Sequence, residues 1–527
     1  MKSESISHPA TDGDTEMGST EDVPAQKELK RDLKERHINM IAIAGMIGTG
    51  LFLSSGTTIA RAGPAGAWLA YIFMGFVTAG VSYTTSEITA FMPVTGGFVR
   101  HATAFVEPAL GAATGWNFWY TMAISVPAEL SAAATLVQFW DSNTNPATEV
   151  IFACMKIALI IGLIIAGLVV NLGGGPKGER LGFTYWKDPG AFNEYLASGN
   201  TGRFLAFWSS LLSAAFSYGN IQVVALSGTE TANPREIIPD ATKKTFFRVL
   251  FFYVLSILVV GMIVPYDSES LFASKGTVAS SPFVIAFRAA GIKVLPSIIN
   301  AVVCTSAISS GSACIFLASR TLYGLSADGH APKIFMKCNR FGTPLYAVGL
   351  SVLPSPLVYM VVSNKAYLVF GWFVNITTVA GLIGWVVIEV TYLRFFYSLK
   401  VQALPCKSHF QPYVAWITGS ILVLIIFFSG VTAFFPGNFT ASEFLTYYIN
   451  IAIFIGMSSL IADMLYMLIN LLAVLYAFFK FFLQSKVIPL ESINFEPELD
   501  SIRQWKETSE LLKEDKNLGR RIWDNVF

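Results

Sequence analysis

The stretch IAIAGMIGTGLFLSSG, residues 41–56, lies in an apolar run long enough for an ordinary membrane helix, yet Gly45, Gly48 and Gly50 crowd its middle. Each glycine weakens a helix interior by roughly 0.5–1 kcal/mol relative to alanine. In hydrocarbon every backbone group must be satisfied internally, and irregular backbone survives only inside protein or beside a water-filled cavity. The run therefore reads as a helix interrupted in mid-span. Close helix packing of small residues is the competing reading.

The rest of the chain supplies the membrane. Of its 527 residues 53% are hydrophobic and 13% charged, against about a quarter charged in soluble domains. That much apolar surface calls for an integral membrane protein. The net charge of +1 says nothing of nucleic acid. Cys154, Cys304, Cys314, Cys338 and Cys406 show no metal-ligand or disulfide pattern. Residues 1–36 are polar, lack a signal-peptide core, and read as a cytoplasmic tail.

A span needs roughly 20 mostly apolar residues. Candidates run at 38–60, 66–92, 110–140, 151–171, 204–227, 244–266, 295–319, 344–363, 366–393, 412–435 and 444–465, with a further apolar stretch at 466–483. The fold class is an all-α polytopic membrane protein, with a permease domain at 37–483 and a cytoplasmic tail at 484–527. Lys27, Lys30, Arg31, Lys34 and Arg36 place the N-terminus inside. The interval 320–342, with Arg320, Lys333, Lys337 and Arg340 against Asp328, belongs inside too, as does 394–411 with Arg394, Lys400 and Lys407. These intervals follow the seventh and ninth spans, and an odd number of crossings ends outside. Either the charge rule fails twice or one helix is missing upstream, and the missing helix is the favoured reading.

A second interruption falls in AAFSYGNIQVVALSGTE, residues 214–230, at Gly219 and Asn220. A broken helix offers N–H groups at one half-helix start and carbonyls at the other end, suiting a carboxylate and an ammonium group. An amino acid zwitterion carries both. Paired breaks opening two halves of a chain indicate a transporter of inverted repeats.

RHINMIAIAGMIGTGLF (36–52), SGTETANPREIIPDATKKTFFRVLFFYVLSILVVGMIVPY (227–266), SSPFVIAF (280–287), GIKVLPSIINA (291–301) and SRTLYGLSADGHAPKIF (319–335) resemble the fungal amino-acid permeases. These form a branch of the amino acid–polyamine–organocation superfamily. The likeness runs from about residue 30 to about 450. The loop LGGGPKGERLGFTYWKDPGAF (172–192) is similar to that of the dicarboxylic amino acid permeases. The resemblance implies a 5+5 inverted-repeat fold plus two C-terminal helices. It also identifies the missing helix as the family's fourth. TNPATEV (144–150) runs directly into IFACMKIALIIG (151–162), with roughly 20–30 residues absent. GMSSLIADMLYMLINLLAVL (456–475) looks inserted and enlarges helix twelve. A faulty gene model or a divergent protein would both give this pair of departures.

By resemblance the substrate site comprises Gly48, Thr49 and Gly50, which receive the carboxylate, Gly45, which completes the broken turn, Phe216 as aromatic gate, and Tyr218, Gly219 and Asn220 as the second break. Where the family commonly has a glutamate this chain has Gln222, which cannot exchange a proton. Lys156 matches a family lysine that resembles a substitute for sodium, with snorkelling as the ordinary alternative. Ionisable groups within spans are functional by default, so Glu87 and Glu129 are coupling candidates or hydrogen-bonded structural groups. Glu230 would hold a cytoplasmic loop, and Asn375 would line the pocket or bond across helices.

No catalytic constellation, metal-ligand cluster or nucleotide-binding loop is present in the sequence, so neither an enzyme nor a cofactor is implied. The expectation is a plasma-membrane, multi-pass importer of amino acids by proton symport, with acidic amino acids favoured. The alternatives are a permease of neutral or broad range and a non-transporting sensor or defective product lacking one helix. Expected partners are the amino acid, protons and the lipid bilayer. Ubiquitin machinery at Lys2, Lys27, Lys30 and Lys34 is a further one, and Asn438 is a glycosylation candidate.

Overall fold

The computed structural model describes residues 49–94, 96–137, 149–176, 178–223, 234–268, 271, 281–292, 294–339, 342–363, 366–402, 410–435, 439–455, 487–493, 495, 496, 499, 500, 502 and 503. Among them all regular structure is helical. A π-helical turn, Gly50–Ser54, runs into α1, Ser55–Phe91. Hydrogen bonds carry α1 across two of the spans expected from sequence, but Gly63 (φ 73°, ψ 172°) and Pro64 break its axis.

The chain doubles back there. A methyl on Gly50 would sit 2.8 Å from Ser217 Cα, while the Tyr71 hydroxyl lies 2.8 Å from Ser217 Oγ. In a straight helix Gly50 and Tyr71 would be about 30 Å apart. Glycine holds the positive φ of the bend without strain, and a Cβ on Gly63 would meet Ala191 O at 2.8 Å. The loop before the next break caps the reversal. Ala65 N–H donates to Ala191 O, and Asn193 donates to the carbonyls of Ala60 and Ala62.

Short α2 (Phe98–Phe105) leads to α3 (Pro108–Val137), and α4 covers Glu149–Asn171. Only residues 138–148 separate α3 from α4, fewer than the roughly 20 that a span needs. After the loop, α5 (Gly199–Ser217) stops short of the expected span end at 227. Then come α6 (Pro234–Ile263), short α7 (Pro282–Ala289) and α8 (Leu295–Ala327). The expected span 344–363 is divided at Pro354, which has no N–H to continue a helix. It becomes α9 (Leu345–Val352), a 3-10 turn (Ser355–Tyr359) and α10 (Met360–Ser363). Three helices follow: α11 (Ala366–Val401), α12 (Tyr413–Phe427) and α13 (Ala441–Ile455). Six described segments are long and apolar enough to cross a membrane, the folded Gly50–Phe91 among them. The enlarged part of helix twelve lies outside the described residues.

Two packing groups position the site. One joins α1 to α5 and α6, and the other joins α3 to α8 and α11. At one end of α11 part of the expected C-terminal tail returns to the bundle as a strip. Ile488 N–H donates to Val106 O, Arg394 donates to Phe105 O and Ile488 O, and Ser398 Oγ donates to Leu490 O. Phe495 is buried among Phe91, Phe105 and Phe395, with ring centroids 5.6–6.1 Å away.

Candidate functional site

The second break is built at the end of α5. Tyr218 caps the helix, Gly219 N–H donates to Phe216 O at 3.1 Å, and Asn220 takes φ +67°. Asparagine is one of the few residues that visits this left-handed region readily. Three tyrosines pin the final turn from behind. Tyr253 donates to Ser217 O at 2.9 Å, Tyr218 donates to Tyr71 O at 3.1 Å, and Tyr71 meets Ser217 Oγ. Their rings lie 5.0–6.3 Å apart. Tyr253 thereby satisfies a carbonyl that the helix end would leave open.

In front of the break lies a cavity with about 450 Å³ of empty space, its mouth included. The break contributes Ala215, Phe216, Gly219, Asn220 and Gln222. Helix α3 adds Thr121, Met122 and Ser125, and α11 adds Thr377, Thr378, Gly381, Leu382 and Trp385. Among the described residues that line it none is charged. Phe216 stands edge-on to Phe370 of α11 at 6.2 Å. The hydroxyls of Thr121, Ser125, Thr377 and Thr378 donate back to their own helices, which leaves their oxygens as acceptors.

Gln222 closes one side. Its Oε1 accepts from Trp385 Nε1 at 2.9 Å, and Asn117 Nδ2 ties α3 to Ala380 O of α11 at 2.9 Å. Behind it a second space of about 230 Å³ shares Thr121, Gln222 and Gly381 with the first and extends to Phe98 and Ile388. Gln222, with Thr121 and Gly381, thus stands between two cavities.

The residues expected at the site separate into groups. Phe216, Gly219 and Asn220 line the cavity. Tyr218 does not: it turns into the tyrosine cluster and holds the break from behind. Gly50 is buried against the Phe216–Ser217 turn and Thr49 is buried beside it, both outside the lining, and Thr49 Oγ1 has no hydrogen-bond partner among the described residues. Gly45, Gly48 and Glu230 lie outside the described residues. Lys156 is placed on α4, its side chain outside the description. Glu129 is one turn beyond Ser125 on α3, where its Oε1 accepts from Ser310 Oγ at 3.0 Å. Glu87 is away from the cavity and accepts from the Tyr392 hydroxyl at 2.7 Å. Asn375 is half-buried on α11 and is not part of the lining.

Two groups of residues escaped the sequence. The lining hydroxyls Thr121 and Ser125 carried a signal in their i, i+4 spacing, and Thr377 and Thr378 in being paired hydroxyls inside an apolar run. Glu389 carried a stronger one, a carboxylate inside the apolar run 366–393.

The family model for amino acid permeases matches residues 37–148 and 144–465. The chain belongs to the amino acid permease family. The proline-specific permease of Emericella nidulans is 40% identical over 81% of this chain and 84% of the relative. The lysine-specific permease of Saccharomyces cerevisiae is 37% identical over 82% and 76%. The dicarboxylic amino acid permease of the same yeast is 35% identical over 81% and 76%. A manganese transporter from Eremococcus coleocola shares the fold, with a TM-score of 0.52 at 11% identity over 84% of this chain and 93% of the other. The permease is therefore a multi-pass membrane transporter of amino acids and not an enzyme.

Proposed function

We propose that this permease imports amino acids across the plasma membrane by proton symport, and that its substrate is neutral. The uncharged cavity at the α5 break carries the reading. The carbonyl end of α5 suits the substrate ammonium, Phe216 closes over it, and the carboxylate is assigned by the family resemblance to the Gly48–Gly50 stretch, of which Thr49 and Gly50 lie beside the cavity and outside its lining. The loop at 172–192 favoured aspartate and glutamate. A second carboxylate in this cavity would meet no described cation, and burying one unpaired is costly. Lys156 and Glu129 stand as coupling candidates on α4 and α3. The family match divides at 144–148, which supports the absence of the fourth helix from a 5+5 repeat.

Uptake by this chain in yeast lacking its own permeases tests the reading, with labelled proline and aspartate supplied at acid and neutral pH. Saturable proline uptake, faster at acid pH and untouched by excess aspartate, is the expected result. Competition by aspartate would restore the acidic substrate. No uptake of either, with the protein at the cell surface, would favour a sensor or a defective product.

A further inference from the structure

Resting on the symporter reading, we propose that Glu389 is a proton-carrying carboxyl of the transport cycle, held as a neutral acid between α1, α11 and α12 and discharged toward Glu87. One face of α11 leads from the cavity to this place. Trp385, Glu389 and Tyr392 follow at i, i+4 and i+7, the spacing of a single helix face. Each bonds a different partner: Trp385 holds Gln222, Glu389 meets Thr84 Oγ1 at 3.2 Å, and Tyr392 holds Glu87. Thr84 and Glu87 are themselves three residues apart on α1. The two helices therefore form a ladder of two rungs, with the acid on α11 in one and on α1 in the other.

Glu389 is 1% exposed, and its Oε2 has no hydrogen-bond partner among the described residues. Thr84 has one hydroxyl hydrogen and three acceptors within reach: Gly80 O, Val81 O at 2.9 Å, and Glu389 Oε1. Thr84 Oγ1 can donate to Glu389 Oε1, but Val81 O is the nearer acceptor; when the hydrogen goes there, Thr84 Oγ1 is left as an acceptor, and a hydrogen bond to Glu389 then needs a proton on the acid. A carboxylate would instead be buried with one oxygen unsatisfied, a costly arrangement. The seam also leaves little room for a counter-ion. A Cβ on Gly80 would lie 2.2 Å from Thr418 Oγ1 of α12, and one on Gly419 would lie 3.4 Å from Glu389 Cβ.

The surrounding titratable groups leave the proton in place. Helix α1 brings Tyr83 and Glu87, and α12 has no charged residue. On α11 itself, Tyr392 is bonded to Glu87, and Arg394 is engaged by Phe105 O and Ile488 O. His101 of α2 is held by Met92 O, while Glu129 of α3 is bonded to Ser310, beyond Ser125 of the cavity. Glu443 stands at the start of α13, which packs on α11. Separation of α11 from α1 would admit water to the seam and make the carboxylate stable. The O–H bond of the acid then breaks, and the proton passes to the half-buried Glu87 carboxylate or to water.

The test uses purified protein in proteoliposomes with an imposed proton gradient and labelled proline. Wild type accumulates proline, whereas E389Q still exchanges it across the bilayer but accumulates at least about tenfold less, with a rate flat in pH. E389D restores the pH dependence. Wild-type accumulation and pH profile in E389Q would overturn the proposal. Infrared difference spectra give a readout independent of transport. The carbonyl stretch of a protonated carboxylic acid should be present in wild type, vanish in E389Q and shift in Thr84→Val, which also serves if E389Q does not fold. Its absence from wild type would overturn the held proton. Wild type that exchanges proline without proton-driven accumulation would instead sink the symporter reading.

Discussion

At Gly50 the structure shows the close helix contact, the backbone running helically from Thr49 through the π-helical turn into α1. The residue sits in a π-helical turn and lets that turn approach the backbone of Ser217. Gly50→Ala gains about 1 kcal/mol of helix propensity, but its methyl would press on a Cα that no side-chain rotation can move. Overpacking of this kind costs about 1–3 kcal/mol, so a lower melting temperature and reduced uptake are expected. Gly162→Ala on α4 is the control: no atom lies within 4 Å of its added methyl, and its melting temperature should hold or rise slightly. His101, on α2 outside the membrane-spanning helices, gives a pH signature. Burial pushes its imidazole down to about 4, while its Nε2 donates to Met92 O. The unfolded chain takes the proton first, near its ordinary pKa of about 6.5. Stability is full above that pH and is lost as the pH falls toward about 4, by up to about 3 kcal/mol. Melting temperatures across this window should fall for wild type and stay flatter for His101→Gln.

Among the elements, the strip 487–495 is the one that composition hid. It is a short apolar run mixed with polar residues in a stretch that reads as tail, and its register is set by Arg394, Ser398 and Gln402 of α11. Phe495→Ala removes a ring buried among three others, a change of about 3–5 kcal/mol for a core aromatic. Limited proteolysis of the variant should open a site near residue 490 that wild type protects, and loss of Gln402 alone should do so far less. The α5 break was legible for the opposite reason. Gly219-Asn220 inside an apolar run is a local signal, and the backbone obeys it with φ +67° at Asn220. The direction of Tyr218 was not legible, because it is fixed by Tyr71 and Tyr253, far along the chain.

For the molecule as a whole, hydropathy located the apolar spans, and charge counting raised the expectation of an odd crossing. Neither could show that Gly63-Pro64 folds the first two spans against one residue of the fifth helix. The cavity was half legible: its aromatic and backbone parts follow from the broken helix, while its hydroxyls come from α3 and α11, which only tertiary packing brings together. Ser217 has a consequence for recombination. It touches Gly50, Tyr71 and Tyr253 at once, so these positions form one inherited unit although they span some two hundred residues. A chimera with a relative that is crossed between Phe91 and Gly199 would inherit its hairpin from one parent and its break from the other. Such a crossover should fail unless the donor residues facing Ser217 travel with it, whereas junctions after Ile263 leave the unit whole.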